Sequence, residues 1–188
     1  MKIKNLKVYC FFAYLLLLMN ATMDAQSIIH NRYGDDKDQT ANAITILPNG
    51  NARIGGFTRS GLQLSSPFSG LLLEVSGSQP GILTMSKRYL QSSETFTITS
   101  MDAHPTNGKM AAVANARPGI QTNTDAVFMD IAANGNVLFS RTWNSTGNEF
   151  ARCVKVLADG SFVIVGRIVN TSNVPQSFVT RLSAAPNY

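Results

Sequence analysis

The sequence predicts an all-β protein assembled from three units of four short antiparallel strands. Three observations carry that expectation. Turn dipeptides of one kind recur, Asn49-Gly50, Asn107-Gly108 and Asp159-Gly160, set 58 and 52 residues apart, and a period of this length belongs to repeated supersecondary units. The flanking residues alternate, as in Ile44-Thr45-Ile46 and Val154-Lys155-Val156, which is the period of a half-buried strand. Beyond the N-terminal segment no stretch carries an apolar face at i, i+3, i+4 and i+7, so helices are not expected.

The first element is not part of the fold. Lys2, Lys4 and Lys7 precede an apolar run from Val8 to Met19, and small residues follow up to Ala25. A basic start, a short apolar stretch and a small residue before the cut are the parts of a secretory signal peptide. The run is short for a membrane-spanning helix, and no second apolar span follows it. Residues 1–25 are therefore read as a signal and 26–188 as one all-β domain. The chain is expected to be secreted, or periplasmic or cell-surface, with no transmembrane segment once the signal is removed. A retained anchor is the alternative.

Alignment on the turns puts the strands in order. "AITILPNG" (43–50) matches "VKVLADG" (154–160), and the middle copy, "FTITSMDAHPTNG", runs about two residues longer. After each turn Ile54, Ala112 and Ile164 correspond, with Gly56, Ala114 and Gly166 two places on. Small residues at one place in every copy point to a close backbone approach or to tight strand packing. A third strand follows a polar loop, with Leu73-Glu74-Val75, Met129-Asp130-Ile131 and Thr180-Arg181-Leu182 in register. Fourth strands are expected to end at Tyr89 and Trp143. The third copy stops at Tyr188 where its fourth strand is due, and "SIIHNRY" (27–33) supplies a match, aligning Tyr33 with Tyr89 and Trp143. The units thus span approximately 34–89, 90–143 and 144–188, the last completed by 27–33.

Four-stranded antiparallel units with a displaced terminal strand describe a β-propeller-like fold whose N-terminal strand completes the last blade. The turn and strand phrases also resemble propeller-type repeats of exported proteins of the Bacteroidetes kind. Those read as "DG" or "NG", an apolar strand ending in Gly, a polar loop, then an acid opening a strand and a "G-N" strand ending in Trp. The counterparts here are Asp159-Gly160 with "SFVIVGR", Asp125 opening "DAVFMDI", and "NGNVLFSRTW" ending at Trp143. The resemblance implies an exported three-unit propeller protein. Propellers close with roughly four to eight blades, so three units imply a homo-oligomer completing a larger ring, a piece of a longer propeller, or another threefold fold, the β-trefoil. Unbroken apolar runs such as "FVIVG" and "GLLLEV" favour blades, because they suit strands buried on both faces.

Composition excludes some functions and names none. The formal charge is +5, two units of which come from the signal's three lysines and Asp24. The rest is scattered, so nucleic acid is not an expected partner. Cys153, alone once Cys10 leaves with the signal, reads as a small core residue. His30 and His104 have no ligands at metal spacing, and Asp35, Asp36 and Asp38 lack the pattern of a calcium loop. No metal or cofactor is expected, and no nucleophile–base motif stands out. Tyr33, Tyr89 and Trp143, at one place in three strands, are the candidate ligand-binding residues, able to stack on sugar rings or to pack between sheets. The function expected is a non-enzymatic binding or scaffold module with an unknown ligand or protein partner. The alternatives are a lectin-like domain and a fragment of a propeller enzyme.

Overall fold

A computed structural model describes residues 39–59, 68–79, 81–89, 95–117 and 123–183. They form eleven antiparallel strands in three sheets and no helix. The first sheet runs β1 (Gln39–Ile46), β2 (Ala52–Arg59), β3 (Phe68–Val75), β4 (Leu83–Tyr89). The second runs β5 (Thr95–Ala103), β6 (Met110–Arg117), β7 (Asp125–Ile131), β8 (Val137–Trp143). The third holds β9 (Asn148–Val156), β10 (Phe162–Val169) and β11 (Pro175–Leu182). Each sheet is a simple meander. No described strand pairs from one sheet to another, so the described strands do not form the closed barrel expected of a trefoil. The expected fourth strands end where the sequence places them, at Tyr89 and Trp143. Residues 1–25, read as a signal, and the 27–33 segment lie outside the described residues.

Asn-Gly and Asp-Gly predict tight type I′ hairpins with positive φ at both central residues, and the turns around Gly50 and Gly160 differ from that. The Gly50 N–H donates to the Leu47 carbonyl (2.9 Å) and the Leu47 N–H to the Asn51 carbonyl (2.8 Å), and the same pair of bonds joins Leu157, Gly160 and Ser161. Gly50 and Gly160 have positive φ (82° and 78°) while Asn49 and Asp159 do not. These are three-residue loops, a type I turn closed by a left-handed glycine. The preceding side chain explains the pairing: Asn49 Oδ1 accepts from the Asn51 N–H and Asp159 Oδ1 from the Ser161 N–H, an Asx turn that leaves only the glycine needing positive φ.

The first strand of every sheet carries a bulge opposite a small residue. Register shifts between Ala41 and Ala43, between Ile98 and Ser100, and beside Val165 and Gly166 set Asn42, Thr99 and Arg152 out of the ladder. A Cβ on Gly56 would collide with the Thr40 carbonyl, and one on Gly166 with the Phe150 carbonyl and the Phe178 ring. The close approach expected at these glycines is therefore a strand bending towards its neighbour.

Alternation assigns each sheet two faces. A leading face holds Leu72 in the first sheet, Val113 and Phe128 in the second, Val165 and Val179 in the third; a trailing face holds Ile54, then Ala112 and Met129, then Ile164. The leading face of the first sheet packs on the trailing face of the second, joining Leu72 to Ile98, Met110, Ala112 and Met129. The leading face of the second packs on the trailing face of the third, joining Val113 and Phe128 to Val154, Phe162 and Ile164. Buried on both sides, β7 is covered along its whole length; of the two runs from which such burial is expected, "GLLLEV" in β3 is largely covered, whereas "FVIVG" in β10 leaves Val163 and Val165 half-buried on its outer face.

The core position expected for Cys153 is not what the fold delivers. Val154 and Val156 face the second sheet and are buried, whereas Cys153 points to the opposite side and is exposed. Alternation puts it on the leading face of the last sheet, where no described element follows. Its neighbours could indicate only that it lies on the other face from the valines, and whether that face is covered depends on the stacking.

Candidate functional site

The site begins with the outer strands. β4 alternates half-buried and exposed residues, so Met85, Lys87 and Tyr89 share the leading face while Ser86 and Arg88 take the other. Strand β8 presents Ser140 and Thr142 on its trailing face, across the ladder from Met129 and Val127. β4 and β8 belong to different sheets and do not pair, so a groove of about 390 Å³ is left between them. Phe96, Val127 and Met129 form its floor, and Arg88, Tyr89, Ser140 and Thr142 its walls. Such a groove offers an aromatic face and two hydroxyls above an apolar base. That combination orients and holds a small amphipathic molecule.

Tyr89 stands at the centre of this arrangement and is held firmly. Its hydroxyl donates to the Gly135 carbonyl in the β7–β8 turn (2.8 Å), and Lys87 Nζ donates to Asn136 Oδ1 in the same turn (3.1 Å). Burial pushes the phenol up to about 12, against the opposing pull of the Arg53 guanidinium. The folded-state value is raised, so the stability that the neutral phenol contributes is complete below pH 10 and is lost between pH 10 and about 12. Tyr89→Phe is expected to lose about 1 kcal/mol at neutral pH with its hydrogen bond. The same variant should show a shallower decline than wild type above pH 10, read from urea midpoints measured across alkaline pH.

Trp143 occupies the matching place one sheet on, and the two aromatics do not meet. Tyr89 packs into the seam between the first and second sheets, and Trp143 into the seam between the second and third. The Trp143 ring lies 6.4 Å from that of Phe178, with the Arg141 guanidinium 5.7 Å from its centre. Each is half-buried between neighbouring sheets. The third candidate, Tyr33, lies outside the described residues, as do His30, Asp35, Asp36 and Asp38. Arg88, Ser140 and Thr142 escaped the sequence reading because nothing local joins β4 to β8. Their signal was the alternation along both strands, and it had no meaning until the sheets were stacked.

Other groups with reactive chemistry do not line the groove. His104 is buried, with Nε2 3.7 Å from Asp130 Oδ1, beyond hydrogen-bond reach, and its ring sits edge-on to Phe162 at 5.4 Å. The Asp125 carboxyl is held above the usual range, first by burial and then by the neighbouring Glu149 charge. Glu149 accepts from the Ser145 N–H (3.2 Å) and the Ser145 hydroxyl. Among the described residues no three His, Cys, Asp or Glu side chains gather as metal ligands. No helix among them is long and apolar enough to cross a membrane.

Comparison with protein-family models finds none that matches the chain, and comparison with curated proteins finds no match.

Proposed function

We propose that this chain is an exported, non-enzymatic binding or scaffold module of β-propeller-like build. Its ligand is held in the groove between β4 and β8. The groove carries the reading: an aromatic ring and paired hydroxyls converge on an apolar floor, mounted on stacked sheets that keep them in place. The blade-like reading is supported by three meanders with their bulges at one place each. In this reading residues 27–33 add to the outer edge of β11, the edge that β4 and β8 cover in the other sheets. The N-terminal basic and apolar pattern supports export.

The test is retention of immobilised glycans and small amphipathic molecules by the full chain. Thr142→Trp, which fills the groove from an exposed position, should abolish retention without lowering the melting temperature. Retention by the filled variant equal to wild type, or hydrolase turnover with no retained ligand, would overturn the proposal. A lectin-like reading has one specific support, the Tyr89 ring beside the Ser140 and Thr142 hydroxyls. It requires that Trp143→Ala, which alters the corresponding aromatic, also weakens glycan retention.

A further inference from the structure

The ends of the three-sheet stack differ from ordinary protein surface. On the trailing face of the first sheet Ile44 and Ile46 are 65% and 60% exposed, with Ile54, Leu73 and Val75 half-buried beside them. On the leading face of the third sheet Val179 is 71% exposed, with Val163 and Val165 half-buried in the adjacent strand. Soluble monomers rarely leave contiguous apolar sheet faces open.

Register identifies what each face is shaped to meet. Ile44, Ile54 and Leu73 form one cross-strand row. The corresponding rows are Met101, Ala112 and Met129 in the second sheet and Val154, Ile164 and Thr180 in the third. The second-sheet row receives the leading face of the first sheet, and the third-sheet row that of the second. Cys153, Val165 and Val179 form the matching row on the open leading face. The two open faces are thus the two halves of a contact that the chain already makes twice.

The bulges supply a polar match. Asn42 Nδ2, on the first bulge, donates to the Ile98 carbonyl of the second sheet (2.9 Å). Thr99 Oγ1, on the second bulge, donates to the Ala151 carbonyl of the third (3.1 Å). The third bulge carries Arg152, an exposed donor, and the carbonyl in the corresponding place on the first sheet is that of Ala41. Arg152, Lys155, Arg167 and Arg181 surround the leading face, Arg181 paired with Asp159; on the trailing face β1 contains no charged residue, and Arg88 lies three strands away on β4.

We infer that these two faces mate head to tail between copies of this chain, the leading face of the third sheet on the trailing face of the first sheet of a second copy. Arg152 then donates to the Ala41 carbonyl of that copy. Such a contact either closes into a ring or runs on as an array; closure after two copies stacks six sheets, within the range of sheet rings. The inference rests on the stacking of the sheets and is independent of any ligand in the β4–β8 groove.

Cys153 provides the test. In the internal contact the Val154 N–H donates to Ser100 Oγ at 3.3 Å. Cys153 corresponds to Ser100 and Ile44 to Val154, so the mated faces bring Cys153 of one copy beside Ile44 of the next. The full chain should sediment as a dimer or larger assembly. In a Cys10→Ser background, Ile44→Cys treated with a thiol oxidant should give covalent dimers or a ladder, while the Cys10→Ser parent and the variant that also carries Cys153→Ser should not. Val179→Glu, a change at an exposed position, should weaken association by about tenfold or more. A wild-type monomer at all concentrations would overturn the inference. So would Cys153–Cys153 linkage in the Cys10→Ser parent, which would set two leading faces against each other.

Discussion

Glu74→Ala is expected to destabilise the protein by about 3–5 kcal/mol, the cost of leaving a buried charge without its partner. Arg53 is 1% exposed, and its Nε donates to Glu74 Oε2 at 2.8 Å. The guanidinium then reaches across to the second sheet, donating to the Ala132 carbonyl (3.4 Å) and the Ala133 carbonyl in the β7–β8 turn. Glu74 in turn accepts from Asn51 Nδ2 at 2.7 Å. Truncating the carboxylate strips the counter-charge from a cation that cannot return to water without separating the sheets. Domains are stable by only about 5–15 kcal/mol, so the variant should unfold at far lower urea than wild type. The double variant Arg53→Met, Glu74→Leu should recover most of the loss, because an apolar pair of similar volume removes both the charge and its need for a partner. A single variant within about 0.5 kcal/mol of wild type would show that water reaches the pair.

Phe128→Ala is the second large effect, again about 3–5 kcal/mol, and it acts at the other seam. Phe128 is fully buried on the leading face of β7. Its ring lies 4.8 Å from that of Phe162 and 6.3 Å from that of Phe139. Removing it opens a cavity in the contact between the second and third sheets, where β7 has no slack to close. Phe128→Leu should cost much less, since most of the volume is kept. Trp143 is the sole tryptophan and lies at the same seam, so its fluorescence reports this variant directly. In Glu74→Ala the same signal should be unchanged until global unfolding. A red-shifted Trp143 emission in native Glu74→Ala would mean that the two seams are not independent.

The pH behaviour of Asp125 and Asp159 has opposite signs. Asp159 is held below its usual range, chiefly by the Ser161 hydroxyl and N–H and then by Arg181, so its contribution is present above the ordinary carboxylate pKa and fades as pH falls below it. Asp125 is raised by burial and by Glu149, so its contribution is complete at low pH and fades as pH rises through the folded value.

Strand positions were legible in the sequence because the signals that set them are local. Alternation about Thr45 and Lys155, the glycines that close the turns, and the aromatics ending β4 and β8 each act through the backbone of a few neighbouring residues. Gly56 and Gly166 announced a close approach for the same reason, since the carbonyls they admit belong to the adjacent strand. Which face of a strand is covered has no local signature. Cys153 alternates with buried valines and is exposed, because burial on its side requires a sheet that the described chain does not place there. Arg53 and Glu74 carry no local mark of burial, yet the second sheet closes over them. The β4–β8 groove arises from two strands almost fifty residues apart that never pair. Short-range hydrogen bonding and side-chain alternation write the strands and turns. The stacking of one sheet on the next, a long-range packing of whole faces, decides which charges are buried, which apolar residues remain open, and where a ligand can sit.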